Sequence, residues 1–253
     1  MLQVNRRKTY TDIRAAVAAV VVAGVLAAPI GCSRGSDSGE SRAPAAGKLT
    51  ATATPSAPQT GADSDRAAPG AGLPSGYNAV FDNASAKVSD VSYSEKEPGR
   101  WEVRTGPAHI LFSRADTAAN KYSVSATFEQ VEAPAHPEAF GVFVGGTGLG
   151  GPNLKYTYFI VRGNGMYMVK VRDGSRTRTI TDWTAQPSIP RQDAAGKALY
   201  GIRIDVAGNA AHVSVNGVPI TTIQGKDAPL NGIAGVRINH NLHLIVTPVS
   251  LIR

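Results

Sequence analysis

The chain has 253 residues, which is the upper end for one domain and too short for two of ordinary size. Its formal net charge is +7, but the first 31 residues carry four basic side chains and one acidic, which leaves 22 basic and 18 acidic residues, or +4, after Cys32. This mild charge, without an aromatic RNA-binding motif, argues against nucleic acid as a partner. The single cysteine excludes an intramolecular disulfide.

Residues 1–31 predict an export signal. A basic segment precedes the apolar run AAVAAVVVAGVLAAPIG, which is shorter than the ~20 residues that a membrane-spanning helix needs. Cys32 follows directly, and this context resembles a bacterial lipoprotein signal, although Pro29 stands where that family most often has leucine. The resemblance implies an exported protein that a lipid on Cys32 anchors to a membrane, on its periplasmic or cell-surface side. A plain signal peptide and an uncleaved anchor are the alternatives.

Residues 32–75 predict a disordered tether. They are mostly Ser, Gly, Ala, Pro and Thr with scattered charges and almost no large apolar side chain. Such a segment cannot bury enough surface to offset the entropy cost of ordering it. As a flexible chain it would hold its ends on the order of 35 Å apart, enough to lift a folded domain clear of a membrane surface. A disordered leader without a function is the alternative.

Residues 76–253 predict a folded domain built from β-strands. Runs of alternating apolar and polar residues recur at short intervals, and turn signals such as Gly208-Asn209 and Asn216-Gly217 separate them. No ten-residue window shows convincing helical periodicity, and only 191–197 could form a short turn of helix. We therefore predict an all-β fold, an antiparallel β-sandwich of the jelly-roll type. The predicted strands are 79–82, 88–93, 101–104, 109–113, 121–131, 139–144, 155–162, 166–172, 177–183, 198–206, 210–215, 218–223, 232–240 and 242–252.

The central feature of the domain is a predicted hairpin, KYTYFIVR and MYMVKVR joined by Gly163-Asn164-Gly165. Alternation divides its side chains between two faces. One face carries Thr157, Phe159, Val161, Tyr167, Val169 and Val171. The other carries Tyr156, Tyr158, Arg162, Met166, Met168 and Lys170. We predict that the first face packs into the core and that the second is an exposed surface.

Several segments of the domain carry a family resemblance: WEVRTGPAHILF, KYSVSATFEQV, AFGVFVGG, YTYFIVRGNGMYMVKV, ALYGIRIDVAGNAAHVSVNGVPI and GIAGVRINHNLHLIV. In this order they resemble the concanavalin-like lectin and glucanase fold, especially the branch of laminin-G-type modules and 3-keto-disaccharide hydrolases. The resemblance covers most of residues 95–250 and implies a jelly roll. Because that fold hosts lectins, glycosidases and adhesion modules, the function has to be argued from a site.

The sequence shows no convincing catalytic or metal site. Glycosidases of this fold place paired carboxylates at alternate positions of one strand, whereas Glu129 and Glu132 are three apart and lie on opposite faces. The glycine loop 145–151 lacks the Lys-Ser/Thr of a phosphate-binding loop. His240 and His243 diverge on an extended strand and lack an evident third ligand. We predict no catalytic residue, no metal and no cofactor.

A sugar-binding surface needs an aromatic ring for stacking and a few oriented polar groups in a shallow depression. Tyr156, Tyr158 and Arg162 share one strand face, and Trp101 is assigned to the core instead. The loop before residue 139 could present an imidazole and a carboxylate at the edge of the sandwich. The candidate ligand-binding residues are Tyr156, Tyr158, Arg162, His136, Glu138, Trp183, Arg237 and Asn239.

These features together predict a lipid-anchored, non-catalytic module that binds a glycan or cell-envelope polymer through the face with Tyr156, Tyr158 and Arg162. A glycoside-processing enzyme of the 3-keto-disaccharide hydrolase type is the first alternative. A structural or protein-adhesion module without a small ligand is the second. An outer surface on which the tyrosines merely cover the sheet is consistent with the same pattern.

Overall fold

The computed structural model describes residues 64–66, 68 and 72–253. The predicted export signal, the lipidation of Cys32 and most of the predicted tether therefore lie outside the described residues and stay predictions. In the described part of the chain, no helix is long and apolar enough to cross a membrane.

The described chain forms sixteen β-strands and one 3-10 turn at Val88–Asp90. The strands are β1 Asn78–Phe81, β2 Val91–Glu97, β3 Arg100–Thr105, β4 His109–Phe112, β5 Thr117–Ala118, β6 Lys121–Gln130, β7 Ala139–Thr147, β8 Lys155–Arg162, β9 Met166–Asp173, β10 Arg176–Ala185, β11 Ala198–Ala207, β12 Ala210–Val215, β13 Val218–Gln224, β14 Gly232–Ile238, β15 His243–Val246 and β16 Ser250–Ile252.

These strands form two antiparallel sheets. Sheet I has the spatial order β1-β4-β14-β7-β8-β9-β10, with β5 paired to β14. Sheet II has the order β13-β12-β11-β6-β15-β3-β2, with β16 paired to β6. The predicted all-β sandwich is confirmed. One difference is that 88–90 forms the 3-10 turn and only Val91 begins the strand that the sequence places at 88–93.

The predicted hairpin is the β8–β9 pair, in register from Lys155↔Asp173 to Arg162↔Met166. Gly165 adopts a φ of 80° in the turn, a conformation that glycine reaches without steric cost. The face assigned to the core is buried as predicted: Phe159 and Val169 are fully buried between the sheets. Trp101 joins the same core at 8% exposure, as predicted.

The prediction that the second hairpin face is exposed is wrong: three of its six residues are buried and the other three are partly buried. Tyr156 and Tyr158 are only 2% and 6% exposed, and Met168 is 5% exposed. They belong to a second apolar cluster on the side of sheet I that faces away from sheet II. Its buried members are Ile110, Phe112, Ala139, Phe143, Leu149, Tyr156, Tyr158, Ile160 and Met168.

This burial follows from a strong curl of sheet I. Asp82 follows β1 and Arg172 lies on β9, five strand spacings away, which is ~24 Å across a flat sheet. Their side chains nevertheless form an ion pair, with Arg172 Nη1 3.7 Å from Asp82 Oδ1. The outer side of sheet I is therefore concave, and we call it the concave face. At Gly141 the neighbouring strand β8 leaves no room for a side chain, because a Cβ there would lie 2.0 Å from the main-chain oxygen of Phe159.

The described residues before position 76 contact the domain. Asn241 accepts a hydrogen bond from the Arg66 amide at 2.7 Å and donates one to the Ser64 carbonyl at 3.1 Å. Ala68 is 7% exposed, and Gly72 pairs with Ser92 in a parallel bridge. The predicted domain boundary at residue 76 stays a prediction, and these contacts lie on its N-terminal side.

Candidate functional site

Tyrosine rings form the floor of the concave face. The ring centroids of Tyr156 and Tyr158 lie 5.5 Å apart, and Phe143 packs against Tyr156 at 5.3 Å. Alternate positions of β8 put both tyrosines on this face, and the curl of sheet I removes them from water. Burial raises the pKa of Tyr158 to about 12 and also raises the pKa of Tyr156. Both phenols are therefore neutral at physiological pH.

An ion pair between the buried Arg237 and the more exposed Asp82 crosses this floor. Arg237 on β14 is 5% exposed, and its Nη1 donates to Asp82 Oδ1 at 2.9 Å while Nη2 donates to Oδ2. The guanidinium also lies 5.5 Å from the ring centroid of Tyr158. Burial alone would raise the pKa of Asp82, but Arg237 and Arg172 outweigh it and hold that pKa below its ordinary value. Two-point contact of this kind fixes the planes of both groups.

A polar chain continues from this pair toward the end of β14. Arg237 Nε donates to Asn239 Oδ1 at 3.3 Å, and Asn239 Nδ2 donates to Glu138 Oε2 at 3.2 Å. His240 Nε2 lies 2.8 Å from Glu138 Oε1, and its Nδ1 lies 3.6 Å from Asp65. Asn239 and Glu138, predicted from separate segments, thus meet in one network.

Arg162 and Trp183 form a second group of side chains at the concave face, beside the polar chain just described. The guanidinium carbon of Arg162 lies 3.6 Å from the centroid of the Trp183 indole, which is a cation–π contact. Arg162 Nε is buried and has no hydrogen-bond partner among the described residues. Burial lowers the pKa of Arg162, and the negative charge of Glu138 opposes that shift. The group remains a cation, because an arginine in a protein does not lose its charge.

The concave face therefore brings together all but one of the predicted ligand-binding residues. Tyr156, Tyr158, Arg237, Asn239 and Glu138 are joined by direct contacts. The Arg162–Trp183 pair flanks them, since Ala139 beside Glu138 is the Cα partner of Arg162. His136 is exposed, and no described hydrogen bond or ion pair connects it to the network. Whether any of these residues binds a ligand stays a prediction.

The sequence interpretation missed three members of this face: Asp82, Arg172 and His240. Asp82 lies 155 residues before Arg237, and no local pattern indicates that a sheet curl will join them. Arg172 lies in a segment rich in basic residues, 162–178, but its approach to Asp82 depends on the same curl. His240 directly follows Asn239, so strand placement alone could have indicated its position near the site.

The concave face carries both carboxylates and basic side chains. Its carboxylates, Asp82 and Glu138, are both occupied by donors from the protein. The rim also carries Lys170, the Cα partner of Tyr158 on β9. Lys170, together with Arg162, Arg172 and Arg237, brings the basic side chains on this face to four, whereas the acidic ones are the two carboxylates named above.

No protein-family model matches the sequence, and no curated protein matches it. Solved structures do show similar folds. The carbohydrate-binding module CBM66 from Bacillus subtilis aligns with a TM-score of 0.50 at 9% identity, over 70% of this chain and 96% of that one. A Bacillus subtilis protein of unknown function with a galectin-like fold has a TM-score of 0.50 at 12% identity, over 70% and 88%.

A family 7 alginate lyase, A1-II′, is also similar, with a TM-score of 0.45 at 15% identity over 63% of this chain and 82% of the lyase. At such identities the first two structures establish the fold alone. The domain has a concanavalin-like, galectin-like β-sandwich fold, as the segments quoted from the sequence imply.

Proposed function

We propose that this domain binds a glycan or a cell-envelope polymer through the concave face of sheet I and does not catalyse a reaction on it. We further propose that the protein is exported and that lipid on Cys32 anchors it to a membrane, with residues 32–75 as the tether. The anchor rests on the sequence context of Cys32.

One observation carries the proposal for the concave face. The guanidinium carbon of Arg162 lies over the Trp183 ring, 3.6 Å from its centroid, and no described ion pair neutralises this charge. Its terminal nitrogens are therefore preoriented donors beside a floor of tyrosine rings. A small number of fixed polar groups over an apolar floor is the usual composition of a carbohydrate site, because sugars present hydroxyl groups at their edges and C–H groups on their faces.

The burial of the tyrosines changes how this face would contact a sugar. Tyr156 and Tyr158 support the floor, and the accessible groups are Arg162, Trp183, Lys170 and Asn239 around it. Because Arg162 covers one face of the Trp183 ring, the ligand would meet the guanidinium first. The similar fold of the CBM66 carbohydrate-binding module is consistent with such a role.

The enzyme alternative requires a general acid on the same face. Asp82 does not suit that role, since its low pKa keeps it ionised at neutral pH. Glu138 accepts a hydrogen bond from Asn239 and lies 2.8 Å from His240 Nε2, so both of its oxygens already have partners in the protein. We therefore favour binding over hydrolysis.

A protein-adhesion module would use a part of the surface other than the concave face. The exposed large apolar residues of the described chain lie outside sheet I: Val88, Leu199, Val218 and Ile252. A protein partner that uses apolar contacts would therefore meet sheet II or its edges.

The test is a binding screen with the full chain against a panel of neutral and acidic glycans and envelope polysaccharides. Each ligand found is then incubated with the protein for a day and examined by chromatography. Binding with the ligand recovered unchanged supports the proposal. Cleaved or chemically altered ligand would favour the enzyme, and the absence of binding across the panel would contradict a glycan-binding role.

A further inference from the structure

A second recess lies at one edge of the sandwich, where the edge strand β10 of sheet I meets the turn at 225–229, which follows the edge strand β13 of sheet II. Its volume is about 520 Å³, within the range of small-ligand pockets. The β9–β10 turn, the start of β8 and the turn at 225–229 form its walls, and we call it the edge recess. The floor of the edge recess is apolar and includes Val171 and Ala228, which are 4% and 5% exposed.

Charged side chains dominate the edge recess. Four are basic and two acidic: Lys155, Arg176, Arg178, Lys226, Asp173 and Asp227. Each carboxylate has its own lysine partner, since Lys155 Nζ lies 2.8 Å from Asp173 and Lys226 Nζ lies 3.6 Å from Asp227. Among the described residues, no ion pair involves Arg176 or Arg178. The edge recess therefore holds two guanidinium charges that no carboxylate compensates.

Hydrogen bonds hold the walls of the edge recess in place. The buried Thr157 hydroxyl donates to the Pro229 carbonyl at 2.6 Å, which fixes the 225–229 turn to sheet I. The Gly174 amide donates to the Leu154 carbonyl at 2.7 Å, which fixes the β9–β10 turn to the start of β8. Arg178 Nη2 donates to the main-chain oxygen of Asp227 across the opening. A preformed wall lowers the entropy cost of binding a ligand there.

We propose that the edge recess binds a phosphate group, either free or as part of a phosphodiester polymer. A guanidinium group presents paired N–H donors that match the oxygens of phosphate, and Arg176 and Arg178 bring two such groups to one opening. Their uncompensated double charge suits a free phosphate, which carries between one and two negative charges at neutral pH, or two successive phosphodiesters with one charge each, better than a single carboxylate. This site is independent of glycan binding at the concave face.

The test measures binding of two probes to the full chain at low ionic strength: inorganic phosphate and a short oligomer of glycerol phosphate. The protein with Arg176→Gln and Arg178→Gln should lose about tenfold or more in affinity, as expected when charge-assisted hydrogen bonds are removed. Arg176→Gln alone should also weaken binding, and it keeps the Arg178 contact to Asp227 that the double variant removes. Thermal melting checks that the variants are folded.

A matched control removes two exposed charges elsewhere, with Arg114→Gln and Lys197→Gln. It should bind both probes as the wild type does. Binding of inorganic phosphate alone would identify the free ion as the ligand, and binding of the oligomer alone would identify a phosphodiester polymer. Binding of both probes would support a site for the phosphate group itself. Two results would overturn the proposal: neither probe binds at millimolar concentration, or the control loses as much affinity as the double variant, which would indicate general surface charge.

Discussion

Asp82 and Arg237 are separated by 155 residues in sequence, yet they face each other through two parallel hydrogen bonds, with Arg237 Nη1 2.9 Å from Asp82 Oδ1. The side chain of Arg237 is 6% exposed, so Asp82 provides the counter-charge for a guanidinium that has little access to water. The pair also ties the end of β1 to β14 across the concave face. Its loss should therefore affect both stability and the shape of that face.

Asp82→Asn should destabilise the domain by about 1–3 kcal/mol, because it leaves the buried Arg237 without its carboxylate at a position where the 36% exposure of Asp82 lets water replace part of the interaction. Adding Arg237→Met to the same protein should recover much of that loss, since no charge then stays buried. Asp173→Asn is the matched control: it breaks the exposed pair with Lys155 and should change stability by less than ~1 kcal/mol. Urea unfolding of the three variants measures the effect. Equal stabilities for Asp82→Asn and Asp173→Asn would contradict the stabilising role of the Asp82–Arg237 pair.

Tyr158→Ala should destabilise the domain by about 3–5 kcal/mol, as expected for truncation of a buried aromatic side chain. Tyr158→Phe keeps the ring and should cost less than ~1.5 kcal/mol. Thermal or chemical unfolding distinguishes the two. A melting temperature for Tyr158→Ala equal to that of the wild type would mean that this ring is exposed, as the sequence pattern predicts.

For Tyr158, the sequence predicts the correct strand and face but not the burial of the side chain. Strict alternation on β8 and β9 correctly separates Phe159 and Val169 from Tyr158, and the turn signals correctly predict the hairpin. Alternation assigns a residue to one face of a strand but carries no information on how the sheet curls. The burial of Tyr158 therefore could not be predicted from it. The same curl brings Asp82 to Arg237, a contact between distant segments that no local pattern contains.

Stability should fall as the pH is lowered from about 6.5 to about 4 because of His109. Its ring is fully buried, with Nε2 2.6 Å from the Tyr93 hydroxyl and Nδ1 3.1 Å from the Pro107 carbonyl. Burial lowers the pKa of His109 to about 4, so between these values the unfolded chain binds a proton that the folded domain does not. The effect amounts to up to about 3 kcal/mol.

The measurement for His109 is the free energy of unfolding at several pH values, for the wild type and for His109→Gln. The variant should lose the slope between pH 6.5 and 4, whatever its absolute stability. Asp82 contributes only at lower pH, because its folded pKa lies below its ordinary value and its stabilisation is lost as the pH falls through that pKa. An unchanged slope in His109→Gln would contradict this assignment.

Cys32→Ser should release the protein from the membrane fraction into the soluble extracytoplasmic fraction, or leave the signal uncleaved, if Cys32 carries the anchor. Fractionation with metabolic labelling by a fatty acid measures both the location and the lipid. Normal processing with unchanged membrane association would contradict the proposed anchor.

The most direct test of the central claim is the affinity of the full chain for a glycan from the screen, measured by calorimetry with Arg162→Gln and, as the control, Lys197→Gln. Arg162 is preoriented over Trp183 at 3.6 Å, whereas Lys197 is exposed on the loop before β11. The proposal predicts a loss of about tenfold or more for Arg162→Gln, from the removal of a charge-assisted hydrogen bond, with the affinity of Lys197→Gln unchanged. Wild-type affinity in a folded Arg162→Gln protein, or an equal loss in both variants, would contradict binding at the concave face.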